Sequence, residues 1–177
     1  MNVPNLLTVI RILLVPLILL LLTRREFGVA LWLVLGAGLT DFLDGYIARR
    51  FGLMTRLGGV LDPLADKLLV DSSFMALAAL RLVPWWLAIA IVGRDLVILT
   101  GAGAWYRRMG SIEMEPTLLS KANTCAQVVL LYLVIADTAG IVRLSPTLPF
   151  LFIVSFVLTF VSGLHYVVVW GGRVRVL

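Results

Sequence analysis

The sequence predicts an all-α integral membrane protein with six transmembrane helices in one bundle, and three observations predict it. The 177 residues are 61% hydrophobic, with a mean hydropathy of +1.05, more apolar side chain than a soluble core can use. The apolar residues fall into six runs, each of roughly the 17–25 residues that a bilayer crossing needs. The charged residues gather at the ends of those runs and in one central stretch, from Asp41 to Lys67. Such a composition argues against a water-soluble enzyme, and nothing in it points to nucleic acid as a partner. Residues 1–177 read as a single membrane domain. The net charge of +5 suits contact with anionic headgroups. Cys125 is the only cysteine, so no internal disulfide is possible.

The first run extends from about Asn5 to Leu22, where Pro4 and Asn5 suit a helix start and Arg24, Arg25 and Glu26 end the span. Arg11 interrupts it, and it closes on arginines rather than small residues, so it reads as a span and not as a cleaved leader. The second, from about Phe27 to Arg49, carries Asp41 and Asp44 in its last third; the third, from about Val60 to Leu80, carries Asp62 and Asp66 in its first turns. Gly52, Arg56 and Gly58 lie in the connection between them. Arg81 and Pro84 mark a tight turn into the fourth, from about Trp85 to Tyr106. A polar connection with Gly110, Glu113, Glu115 and Pro116 precedes the fifth, from about Leu118 to Ala136. The sixth runs from about Thr147 to Trp170.

Flanking cations set the orientation. Arg49, Arg50, Arg56, Arg107, Arg108, Lys121, Arg173 and Arg175 belong to one side; Arg24, Arg25, Arg81 and Arg143 belong to the other. Eight against four places both termini and the acidic stretch on the cytoplasmic side of a cell (inner) membrane. Trp85, Trp86 and Trp170 read as interface residues. Gly36, Gly38, Gly101 and Gly103 read as points of close helix packing. Cys125 reads as core, and His165 as structural or interfacial.

Asp41, Asp44, Asp62 and Asp66 are four of the protein's ten acids. Ionised groups at membrane depth are costly and face an interior or a wet cavity. Four together repel unless cations lie among them. Positions i, i+3, i+4 and i+7 share a helix face, so Asp41, Asp44, Gly45 and Ala48 line one face of their helix, and Asp62 and Asp66 line one face of theirs. The first face sets carboxylates beside residues too small to block a ligand. If the two helices are neighbours, the four carboxylates converge. Oxygen-only donors favour Mg²⁺ or Mn²⁺ over zinc. Two such ions could clamp a pyrophosphate, and a carboxylate not fully used by metal could accept a proton from an attacking hydroxyl. A set of ion pairs with Arg49, Arg56 and Lys67 is the bland alternative. Intramembrane acids also serve cation or proton transporters, but those often show internal repeats and acids near the bilayer midplane, and no repeat is visible here.

The register D-x2-D-G-x2-A-R-x8-G-x3-D-x3-D, from Asp41 through Gly58 to Asp66, resembles the signature of the CDP-alcohol phosphotransferase family at every position. The likeness covers nearly the whole chain, including the opening with Asn5, Thr8 and Arg11. It implies a homodimeric membrane enzyme in which an alcohol displaces CMP from a CDP-linked donor such as CDP-diacylglycerol. It further implies that Asp41, Asp44, Asp62 and Asp66 hold two divalent ions and that Asp66 is also the general base. Gly45, Ala48 and Gly58 would make room for the nucleotide, Arg49 would support the phosphates or the carboxylates, and Asn5 and Thr8 would join the donor site. Arg94, Lys121, Asn123 and Arg11 would face the acceptor, with Asp95 either orienting Arg94 or touching the acceptor itself. The opening and the block LDPLADK resemble two branches of the family, one using glycerol-3-phosphate and one using phosphatidylglycerol. In the second half, Gly93-Arg94-Asp95, Gly101-Ala102-Gly103 and Ser120-Lys121-Ala122-Asn123-Thr124 look more like the phosphatidylglycerol branch. The second arginine usual in the other branch is missing, and with it a grip on a free phosphate monoester.

Overall fold

Each of the six apolar runs forms an α-helix in the computed structural model: α1 (Val3–Thr23), α2 (Phe27–Phe51), α3 (Gly58–Ala79), α4 (Trp85–Met109), α5 (Leu118–Thr138) and α6 (Leu148–Val174). The structure describes the backbone over 3–51, 58–109 and 117–174, and side chains over 10–40, 64–101, 103 and 117–168. The connections expected around Gly52 and Arg56, and around Gly110, Glu113, Glu115 and Pro116, lie outside the described residues, as does Arg175; so do the side chains of Trp170 and Arg173.

Short turns join α1 to α2 and α3 to α4, so each pair is antiparallel. α1 lies against α2 and α3, α4 against α3 and α6, and α5 against α2, α3 and α6. Among the described residues, α2 and α3 are linked through α1 on one side and α5 on the other, not by direct packing. Because α2 runs into α3 through a few residues, the last third of α2 and the first turns of α3 lie at the same end of the bundle.

α1, α3 and α5 end alike. Glu26 N–H donates to Leu21 C=O (2.9 Å) and Arg25 N–H to Leu22 C=O (3.0 Å); Leu82 N–H donates to Leu77 C=O (2.9 Å) and Arg81 N–H to Ala78 C=O (3.0 Å); Ile141 N–H donates to Ala136 C=O (3.0 Å) and Gly140 N–H to Asp137 C=O (3.0 Å). This is the paired bonding of a Schellman end, whose pivot residue takes a left-handed conformation. Gly140 does so at φ 74°, but Arg25 and Arg81 do so at φ 62° without being glycine. The Asp137 carboxylate then folds the α5–α6 loop by accepting from Leu144 N–H, Ser145 N–H and Ser145 Oγ–H.

The interior is divided along its length. Near these three ends it is apolar, built from Ile18, Leu22, Val34, Phe74, Leu77, Leu87, Ile91, Leu131, Ile135 and Phe152. Toward the other end the buried positions turn polar: Arg11, Arg94, Asp95, Asn123, Gln127, Thr159 and Ser162. α6 shows the switch on one face, where Leu148 and Phe152 are followed at helical spacing by Ser155, Thr159 and Ser162, all buried. Its outer face is almost wholly apolar, with Phe150, Ile153, Val157, Phe160, Leu164 and Val168 exposed and His165 among them. A water-soluble helix has the reverse arrangement. Among the described residues, Leu118–Thr138 and Leu148–Val168 are long and apolar enough to cross a membrane, and Ile10–Thr23 and Phe27–Thr40 are shorter apolar stretches.

Two of the four glycines expected at close packing points act as such. A Cβ on Gly38 would lie 2.5 Å from the Tyr132 hydroxyl, which reaches past Gly38 to donate to the Val34 carbonyl at 3.1 Å. Gly101 leaves room for the Tyr166 ring, 3.2 Å from where a Cβ would stand. Gly36 and Gly103 have no neighbour within 4 Å of that position, so the packing expected of them is not seen. Cys125, expected in the core, is exposed, because it sits on the outward side of α5 where apolar and small residues are equally at home. Trp85 and Trp86, read as interface residues, are exposed. Gly38→Ala is expected to destabilise the α2–α5 contact by about 1–3 kcal/mol, the usual range for overpacking. Thermal melting of detergent-solubilised protein would show it, and adding Tyr132→Phe should recover part of the loss.

Candidate active site

The described part of the site is built on α1, α3, α4, α5 and α6. Arg11 enters from the second half of α1's polar first turns and is buried, with 3% exposure; its Nη1 lies 3.1 Å from Asp66 Oδ1, and the Asp66 side chain is 43% exposed. The pair stitches α1 to α3 and leaves the Asp66 carboxylate accessible. Lys67, one residue further along α3, turns toward α4, where its Nζ lies 3.2 Å from Asp95 Oδ1. The same Asp95 oxygen accepts from Arg94 Nη1. Arg94 Nη2 donates to Ser120 Oγ on α5 and, at 2.9 Å, to Ser162 Oγ on α6. Both terminal nitrogens of the guanidinium are therefore engaged by protein.

Deeper between α5 and α6, Gln127 Nε2 donates to Thr159 Oγ1 at 3.1 Å, and Thr159 Oγ1 donates to Asn123 Oδ1 at 3.1 Å. Thr117 starts α5 by accepting from Ser120 N–H at 3.3 Å, which sets the helix phase that turns Ser120, Asn123 and Gln127 inward. Lys121 falls on the opposite side and is exposed. Several buried polar atoms keep unused hydrogen-bonding capacity here, among them Lys67 Nζ, Asp71 Oδ1, Arg94 Nε and Asn123 Nδ2.

The structure thus brings Arg11 to Asp66 and joins Arg94 to Asp95, Lys67, Ser120 and Ser162. It buries Asn123 within hydrogen-bond reach of α6 but leaves Lys121 outside. Asp95 orients Arg94, one of its two expected roles. Lys67, named in the sequence only as a counter-charge for the aspartates, pairs with Asp95 instead. Ser120 and Ser162 were not among the expected site residues; the spacing of Ser155, Thr159 and Ser162 on one helical face was the available signal. Asp41, Asp44, Gly45, Ala48 and Arg49 lie in α2 and Gly58 and Asp62 in α3, with Asn5 and Thr8 in α1, but their side chains lie outside the described residues. Among the described residues no three acids, histidines or cysteines come together, and Asp66 is the one member of the four-aspartate set among them. The cavity of about 310 Å³ bounded by Ala78, Arg81, Trp85 and Phe152 lies at the far, apolar end, away from this chemistry.

A family model described as CDP-alcohol phosphatidyltransferase matches residues 1–170. The chain is 37% identical, over 93% of its length and 30% of the relative's, to a cardiolipin synthase (CMP-forming) / mitochondrial hydrolase fusion protein of Schizosaccharomyces pombe. It is 39% identical, over 72% of its length and 44% of the relative's, to a probable cardiolipin synthase (CMP-forming) of Drosophila melanogaster. It is 35% identical to a CDP-diacylglycerol–glycerol-3-phosphate 3-phosphatidyltransferase of Aquifex aeolicus, over 94% of both chains. The chain therefore spans less than half the length of the first two relatives.

Proposed function

Because this chain belongs to the CDP-alcohol phosphatidyltransferase family, we propose that it transfers a phosphatidyl group from CDP-diacylglycerol to a glycerol-type acceptor and releases CMP. Phosphatidylglycerol is the leading acceptor, which makes the product cardiolipin. The observation that carries the reading is the four-aspartate register, Asp41 to Asp66, at the end of the bundle where buried positions become polar. The outward apolar faces support a six-span bundle in the cell (inner) membrane, working as a homodimer with its site toward the cytoplasm, the side richer in flanking cations.

In this reading the acceptor hydroxyl oxygen attacks the phosphorus that bears the diacylglycerol. The bond from that phosphorus to the bridging oxygen breaks, and CMP leaves with the bridging oxygen. Asp66 takes the hydroxyl proton; its accessible carboxylate suits that task, and Arg11 fixes its orientation from α1. Gly45, Ala48 and Gly58 leave space for the nucleotide, with Asn5, Thr8 and Arg49 around the donor. Asn123 stands on the inward face of α5 for the acceptor, Lys121 on the outward face is not part of this site, and Arg94 holds that helix in place through Ser120. The donor set is oxygen-only and anionic, which fits hard divalent cations. Two Mg²⁺ or Mn²⁺ ions held by Asp41, Asp44, Asp62 and Asp66 would neutralise the diphosphate bridge and the departing phosphate.

A second reading has glycerol-3-phosphate as the acceptor. It is supported by the Aquifex aeolicus relative, which matches end to end where the cardiolipin synthases above match in part. Labelled CDP-diacylglycerol supplied to purified protein with phosphatidylglycerol in one reaction and glycerol-3-phosphate in another separates the two. Cardiolipin in the first is the expected product, phosphatidylglycerophosphate in the second would establish the other acceptor, and no CMP from either would overturn the family reaction for this chain.

A further inference from the structure

We propose that the cavity at the α3–α4 turn binds one anionic phospholipid of the surrounding bilayer, with the lipid phosphate on Arg81 and part of an acyl chain against Leu82, Val83 and Phe152. The inference rests on the membrane-spanning reading above and not on the transfer reaction, because the cavity lies at the end of the bundle remote from the four-aspartate register.

The first support is what lines the cavity. Its volume is about 310 Å³, at the small end of ligand cavities, so it takes part of a chain and not a whole lipid or a helix. Leu82, Val83 and Phe152 give it apolar walls, and the exposed Arg81 and Trp85 complete the lining. A guanidinium beside an apolar hollow matches a charged headgroup joined to a hydrocarbon chain.

The second support is charge. Arg24, Arg25, Arg81 and Arg143 stand at this end of the helices, against only two acids, Glu26 and Asp137. The Asp137 carboxylate is taken up by the α5–α6 loop. Among the described residues, the ion pairs join Arg11, Lys67 and Arg94 to Asp66 and Asp95, and Arg81 is in none of them. A guanidinium grips phosphate through two parallel N–H donors, and its weak hydration suits it to an apolar margin. A second copy of this chain would set the cation against another protein face, where an unmatched charge is costly to bury; a headgroup brings the missing negative charge with it.

The third support is that the site is built in advance. Arg81 is the left-handed pivot of the α3 end, at φ 62°. Its N–H and that of Leu82 are bonded back to Ala78 and Leu77, so the backbone that carries the cation is fixed. One helical turn from Phe152, the Phe156 ring meets Trp86 edge to face at 5.2 Å, which fastens α6 to the start of α4. That start has no acid in its first turn, and the Trp85 and Trp86 N–H groups meet no backbone acceptor among the described residues. A phosphate drawn in by Arg81 therefore arrives at a helix end polarised in its favour.

The test takes the purified 177-residue chain in neutral detergent and adds dioleoylphosphatidylserine or dioleoylphosphatidylcholine, neither of which is a donor or acceptor in the proposed reaction. Retained lipid is read by native mass spectrometry, and melting temperature alongside it. The wild type should hold one phosphatidylserine roughly tenfold more tightly than phosphatidylcholine, the scale of a charged hydrogen-bonded contact, and melt higher with it. Arg81→Asn should lose that preference; asparagine tolerates the left-handed conformation, so the turn itself survives. Leu82→Trp keeps the cation but fills the hollow, and should also release phosphatidylserine. Equal retention of the two lipids by the wild type would overturn the inference. So would unchanged phosphatidylserine binding in Arg81→Asn, which would place the lipid elsewhere, or in Leu82→Trp, which would leave the hollow without a part. Should a variant fail to fold, the wild-type comparison still decides. CMP release by Arg81→Asn should equal that of the wild type in detergent, and absence of turnover in both would refute the transfer reaction while leaving the lipid result to stand by itself.

Discussion

Asp66→Asn is expected to lower CMP release by roughly a thousandfold, within the range that a positioned general base contributes, without preventing folding. The amide is the same size as the carboxylate and can still accept from Arg11 through its oxygen, so the α1–α3 contact is weakened rather than erased. What it lacks is the capacity to take a proton from the acceptor hydroxyl. Arg11 is buried while Asp66 is half exposed, so neutralising the acid also leaves the guanidinium without its counter-charge. A loss of melting temperature is therefore expected alongside the loss of rate. The two effects separate if Asp66→Asn is compared with Arg11→Gln: the latter should weaken the helix contact comparably but leave more activity, since the base survives. Full activity in Asp66→Asn would sink the assignment of the base, and equal inactivity of the two variants would mean that the ion pair matters more than proton transfer.

The helices were readable because a bilayer demands long apolar runs, and the ends of α2, α3, α4 and α5 fall close to where charge and proline interrupt the hydropathy. The four-aspartate register stood out in the sequence for the same reason, since acids in so apolar a chain are not there for packing; of the four, Asp66 alone has its side chain among the described residues. Facing was less legible. When the solvent is lipid, hydropathy does not distinguish inward from outward, and so Cys125 was assigned to a core it does not join and Gly36 and Gly103 to contacts they do not make. Helix ends were partly hidden as well. The left-handed pivot of a Schellman end usually announces itself as glycine, as at Gly140, but Arg25 and Arg81 occupy the same position here. An arginine there places a cation at the end of the apolar helix, the position that flanking charge takes beside a membrane span. Least legible was the clamp of Arg94 on Ser120 and Ser162, which joins residues 26 and 68 positions apart; no local pattern encodes it. Only the hydroxyl spacing on α6 hinted that its inner face would be polar.

That polar inner face bears on the second large effect expected, the response to divalent cations. A chelator should abolish transfer, and added Mg²⁺ or Mn²⁺ should restore it. The apolar half of the interior, from Ile18 to Phe152, can hold the bundle together by packing alone. The other half carries the four-aspartate register at one end of α2 and α3, and carboxylates brought close to one another repel. Arg11 and Lys67 are engaged elsewhere: the first meets Asp66 and the second meets Asp95. In the proposed reading the remaining demand for positive charge falls on ions rather than on Arg49 and Arg56. Neutralising a diphosphate and its leaving group is worth several kcal/mol, and each ~1.4 kcal/mol is a factor of ten in rate, so the expected loss is three orders of magnitude or more. Melting curves should move in the same direction but far less, since the apolar half persists without metal. If chelation unfolds the protein as readily as it stops the reaction, the ions are structural; if transfer continues in the chelator at an unaltered rate, the aspartates serve some other end and the two-metal reading fails.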